Sequence, residues 1–126
     1  MTDKRYVLRY IGCSPNPDHP DKPRREDMEN LPPGKEFDIP PGGIIVGRGR
    51  AADVPVYCSA VKRDHLRVSP ADDGAMVEDL KSTNGTALNE VWFSDHCSVT
   101  RVLARPGDRI VVAGMFEFEI VERPPI

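Results

Sequence analysis

The side chains best suited to chemistry fall in three short polar segments between Ile44 and Leu88. Gly47 and Arg48 close an apolar run, Lys62 and Arg63 stand just before His65, and Ser82, Thr83, Asn84 and Gly85 make a tight polar turn. Arginine is always charged, and its planar fork of donors suits the oxygens of a phosphate. Thr83 offers a hydroxyl, and Asn84 offers an acceptor and two donors. Gly47 and Gly49 leave room for backbone beside an anion. If the chain brings these segments together, they can hold an anionic group.

Other chemistries fit less well. Gly47, Gly49 and Ala52 satisfy the spacing GxGxxA after an apolar run, which is the outline of a dinucleotide fingerprint. That motif needs a following helix whose N-terminus holds the pyrophosphate, and here Pro55 and β-branched residues follow instead. Ser59, Asp64 and His65 are triad residue types, but neighbours along a strand point to opposite faces, so Asp64 and His65 should diverge. No metal-ligand spacing joins His19, His65 and His96. The reading is therefore of a chain that is not an enzyme, with no catalytic residue, metal site or cofactor.

Short strands must position the three segments. The chain has 126 residues, enough for a single domain with its own core. Its thirteen prolines and ten glycines disfavour long helices. Strands are expected at Arg5 to Ile11, Lys35 to Ile39, Gly43 to Gly47, Val54 to Val56, Leu66 to Ser69, Ala75 to Asp79, Ala87 to Leu88, Val91 to Phe93, Val99 to Leu103, Arg109 to Val112 and Met115 to Glu122. In the last, Phe116, Phe118 and Ile120 should face inward and Glu117 and Glu119 water. Asp73 and Gly74 suit the positive φ of a hairpin turn, as do Asn89 and Glu90 by their place between two strands. Turn signals at this spacing indicate an all-β sandwich of about eleven antiparallel strands.

Gly12 to Gly34 is different: it carries six prolines and dense charge of both signs, and reads as a solvated insertion at about 12–34 in a single domain spanning 1–126. The sharper alternative is that Lys22, Arg24 and Arg25 within it reach over a ligand site. The net charge of −3 argues against a general nucleic-acid binder. Cys13, Cys58 and Cys97 are an odd number without CxxC spacing, which fits reduced thiols in the cytoplasm. The start carries charges through its only apolar run, so neither a signal peptide nor a membrane span is expected there.

The order GR, KRDH, STNGT resembles the forkhead-associated (FHA) domain family. The residues that carry the resemblance are Gly47, Arg48, Asp53, Arg63, His65, Ser82, Asn84 and Gly85, with Asp108 and the closing strand from Met115 to Glu122. The resemblance implies an eleven-stranded sandwich whose loops at one end bind phosphothreonine in a partner protein or peptide. It assigns the contacts to Arg48, Lys62, Arg63, Thr83 and Asn84, and support of the site to Gly47, His65, Ser82 and Gly85. His65 would be a buried buttress between loops, and Gly85 would supply the positive φ that turns Asn84 outward. The partners expected are phosphothreonine chains, not nucleic acid or membrane, and a monomer is favoured.

One position departs from the family pattern. The usual SRxH serine, whose hydroxyl contacts the phosphate, is Lys62 here. Turned into the pocket, the ammonium would make a charge-assisted bond of about 1.5 to 3 kcal/mol in place of a neutral one of about 1. Turned to solvent, it would leave the site one donor short and weaken binding about tenfold. The same substitution motivates an alternative, a domain of this fold that docks proteins without phosphate.

Overall fold

The computed structural model describes residues 5–14, 31–93 and 101–125. Lys22, Arg24, Arg25, His19, His96 and Cys97 lie outside the described residues. Eleven strands follow one another: β1 Arg5–Cys13, β2 Glu36–Asp38, β3 Ile44–Gly47, β4 Val54–Pro55, β5 Leu66–Ala71, β6 Gly74–Asp79, β7 Thr86–Leu88, β8 Val91–Phe93, β9 Arg101–Ala104, β10 Arg109–Val112 and β11 Phe116–Arg123. They form a six-stranded sheet in the order β2-β1-β11-β10-β7-β8 and a five-stranded sheet in the order β4-β3-β5-β6-β9. Pairing is antiparallel except for β3 with β4, which run parallel through Val46 and Val54. No helix among the described residues is long and apolar enough to cross a membrane.

The core lies between the two sheets. Leu8, Tyr10, Ile110, Phe116, Phe118 and Ile120 from one sheet meet Val46, Leu66, Val68 and Val77 from the other, all buried. The alternation expected in β11 is present: its aromatic and Ile residues are buried, and Glu117 and Glu119 are partly exposed. Each buried Phe or Ile adds about 1.5–3 kcal/mol of transfer free energy. Asn89 and Glu90 both have positive φ, 49° and 71°, so β7 and β8 join through a two-residue turn of the kind that matches strand twist.

The β5–β6 hairpin differs from expectation in its turn. Gly74 has the positive φ expected of it, 156°, but as the first residue of β6, paired with Ala71, and Asp73 does not have positive φ. Close approach to β9 demands the glycine: a Cβ on Gly74 would lie 2.1 Å from the Ala104 carbonyl oxygen.

Register decides which loops meet. Val46 pairs with Leu66, and Leu66 also pairs with Asp79, so the end of β3, the start of β5 and the end of β6 share one edge of the five-stranded sheet. The segment after β6 crosses from there to β7 in the other sheet. The three polar segments are therefore gathered at one end of the sandwich.

Candidate functional site

Backbone bonds fasten the Arg48 loop to the segment before β5. The Arg48 and Gly49 amides donate to the carbonyls of Lys62 and Arg63 at 3.1 and 3.2 Å, and the His65 amide donates to Val46 at 2.9 Å. Asp53 holds the other side of this loop, accepting from the Ile45 amide at 2.9 Å while its own amide donates to the Ile45 carbonyl. The approach is so close that a Cβ on Gly47 would sit 2.0 Å from the Arg63 carbonyl oxygen. The room that Gly47 leaves is thus filled by the protein's own backbone, not left open for a ligand. Position 47 is glycine for packing.

His65 couples these loops to the 82–86 turn. It is fully buried; its Nδ1 accepts from the Lys62 amide at 3.1 Å, which leaves Nε2 protonated to donate to the Gly85 carbonyl at 2.9 Å. Burial holds its pKa below the ordinary histidine value, with Lys62 pushing the same way and the Gly85 bond and Asp79 opposing. The ring is a neutral bridge with both nitrogens committed to backbone. Asp64, by contrast, is exposed, so the two side chains diverge as the strand geometry requires.

The turn itself is organised by Asp79, which the sequence reading placed only at a strand end. Its buried carboxylate accepts from the Ser82 amide at 2.8 Å, the Ser82 hydroxyl at 2.6 Å and the Thr86 hydroxyl at 2.7 Å. Ser82 Oγ in turn accepts from the Gly85 amide at 3.1 Å. A carboxylate three residues before a serine is the signature of a side-chain-closed turn, and that spacing was the available signal. Gly85 has φ of 78°, the left-handed region expected for it.

These supports leave five side chains at the rim. Arg48, Lys62, Arg63 and Thr83 are exposed, and Asn84 is half-buried. Among the described residues neither Arg48 nor Arg63 pairs with a carboxylate. The Asn84 amide donates to the Ala60 carbonyl at 2.7 Å, which fixes its direction toward the segment leading into Lys62. Lys62 takes neither of the two courses considered for it: its ammonium stays at the surface but donates to the Leu80 carbonyl at 2.8 Å, bridging the loops on either side. Two of its three protons remain for other acceptors. The result is a small cationic rim around a hydroxyl and an amide, held from below by the neutral His65 bridge and the hydrogen bonds to the Asp79 carboxylate.

The family model for the FHA domain matches residues 44–113. A segment of 56 residues is 36% identical to the FHA domain-containing protein FhaA of Mycobacterium tuberculosis; it covers 44% of this chain and 11% of that protein. The chain thus spans about a tenth of the length of this relative. Among solved structures, an FHA domain from a structural and functional analysis of phosphothreonine-dependent FHA domain interactions superposes with a TM-score of 0.65 at 23% identity, covering 95% of this chain and 98% of that one. The FHA domain of a protein from Chlamydia trachomatis gives 0.68 at 18% identity, covering 94% and 98%. The FhaA FHA domain, solved in complex with an intracellular domain, gives 0.63 at 23%, covering 91% and 98%.

Proposed function

The chain belongs to the FHA domain family, and from that premise we propose that it is an interaction module that binds phosphothreonine in a partner protein or peptide. One observation carries the reading: Arg48 and Arg63 stand at the rim without a carboxylate partner among the described residues, beside a backbone scaffold that fixes their loops. In this reading the Arg48 guanidinium and the Lys62 ammonium meet the phosphate oxygens, and Arg63 adds charge. The Thr83 hydroxyl gives a further hydrogen bond, and Asn84 meets the backbone of the bound peptide. Gly47, His65, Ser82 and Gly85 keep the loops in place and touch no ligand. The module acts without chemistry on its ligand, as an intracellular reader of a kinase product.

Arg48→Ala and an unphosphorylated control peptide test this reading by calorimetry against a phosphothreonine peptide library. Binding that needs both the phosphate and Arg48 is expected. A partner held equally well after phosphatase treatment, and by the Arg48→Ala protein, would show docking of another kind.

A further inference from the structure

Trp92 is the chain's single tryptophan, and it lies 54% exposed on β8. It pairs with Ala87 on the face of the six-stranded sheet that points away from the core. Its ring is bedded on two glycines that turn the neighbouring loops. A Cβ on Gly85 would lie 2.9 and 3.0 Å from the ring's Cζ3 and Cε3, and one on Gly114 would lie 3.4 Å from Cη2. Both glycines have positive φ, 78° and 71°, and the Ala113 amide donates to the Gly85 carbonyl at 3.0 Å, so the loops beneath the ring are joined. One face of the indole therefore rests on the backbone of the site turn, and the rest meets solvent.

We propose that Trp92 is a specificity-determining residue that receives an apolar side chain flanking the phosphothreonine of the bound peptide. The inference rests on the phosphothreonine reading above and extends it to the class of peptide selected. Continuity with the rim argues for the same peptide as occupant. Asn84 reaches toward Ala60, and the next residue, Gly85, is covered by Trp92, so the ring adjoins the rim through one peptide unit. An extended chain passing Asn84 projects alternate side chains to one face, so a flanking residue falls over the ring. A rigid, half-exposed indole at the edge of a charged socket is the type of anchor that dominates binding energy at interfaces. Charge alone would hold any phosphate; the ring supplies discrimination among the chains that carry one.

Because no other tryptophan is present, fluorescence excited at the red edge of the tryptophan band, where the three tyrosines do not absorb, reports on this side chain alone. Two phosphothreonine peptides are compared with the wild-type protein, one with leucine at the flanking positions and one with glycine throughout, with affinity measured separately by calorimetry. The leucine peptide is expected to bind about tenfold more tightly, to shift the emission to the blue and to protect it from acrylamide. The glycine peptide should bind while leaving the emission unchanged. Trp92→Ala should bring the two affinities together. Equal affinities with unshifted emission, or a Trp92→Ala protein that loses both peptides equally, would overturn the role of Trp92 and leave phosphothreonine binding standing. If neither peptide binds the wild type, the phosphothreonine reading fails and this inference with it.

Discussion

The arginines of the six-stranded sheet and those of the loop end are treated in opposite ways. On the sheet, Arg9 pairs with Glu119, Arg109 lies 3.5 Å from Glu117 and 3.8 Å from Glu119, Arg123 pairs with Glu36 and Arg5 with Asp38. Strands of the same sheet supply those carboxylates, from the next strand or, for Arg123 and Glu36, across β1, so charge is cancelled where it arises. At the loop end, the Arg48 amide and the Arg63 carbonyl have backbone partners, but neither side chain has a carboxylate among the described residues. The hydrogen bonds there fix shape and leave the side-chain charge unpaired with any carboxylate among the described residues. An acidic protein can thus present a positive socket.

Substituting one arginine from each region gives the largest contrast. Arg48→Ala should weaken phosphothreonine-peptide binding about a hundredfold, as expected when a charged hydrogen-bonding partner is removed, with little change in stability. Arg9→Ala should leave binding intact and cost under about 1 kcal/mol of stability, because a partly exposed ion pair is screened by solvent. Calorimetry and urea denaturation of the two proteins measure both quantities. Matching losses of affinity would erase the distinction between the two regions.

Removing the support beneath the socket should act on stability first. His65→Ala deletes a buried ring bonded to both the Lys62 amide and the Gly85 carbonyl, leaving a cavity and an unpaired Lys62 amide, while the Gly85 carbonyl keeps the Ala113 amide. A destabilisation of about 2 to 4 kcal/mol is expected, readable in urea. Affinity should fall with it, although no rim side chain has been changed. Unaltered stability would mean that His65 does not join the loops.

Much of this was legible beforehand, for physical reasons that differ by residue. Period-two alternation exposed β11, and Asn89–Glu90 marked the β7–β8 hairpin, because both are local effects of backbone geometry. Arg48, Lys62 and Asn84 could be placed near one another only through the family's pattern, since their meeting depends on the register of β3, β5 and β6. Three features depended on contacts between distant segments and escaped the sequence. Gly74 is required by β9, Gly47 by the Arg63 carbonyl, and Trp92 by its bed of two glycines. A glycine's reason is not written beside it.

Lys62 sharpens the comparison at a smaller scale, because it is a rim cation that also bonds to the protein, through the Leu80 carbonyl. Lys62→Met keeps much of the stem and removes the charge. Binding should fall about tenfold, the value of one charge-assisted bond less the entropy of holding the side chain. Stability should change by less than about 1 kcal/mol. If Lys62→Met instead unfolds the domain, the lysine belongs with the supports and not with the rim.

Acid should separate socket from scaffold by their titrating groups. His65 is held below its ordinary pKa chiefly by burial, so it stays neutral in the folded protein as the pH falls past about 6.5, where an unfolded histidine gains its proton. The unfolded state then binds more protons, and stability falls with pH across the window from about 6.5 down to the lowered folded value. One proton sets a slope of at most about 1.4 kcal/mol per pH unit. The Arg123–Glu36 pair does not share this window: Arg123 holds Glu36 below the usual carboxylate value, so the pair loses its charge only in stronger acid. Binding has its own loss, because the phosphate dianion takes up a proton near pH ~6. His65→Gln should flatten the stability profile below about pH 6.5, while the acid loss of affinity remains. A variant whose stability keeps the wild-type slope would place the titrating group elsewhere and leave His65 a bridge with no part in the acid response.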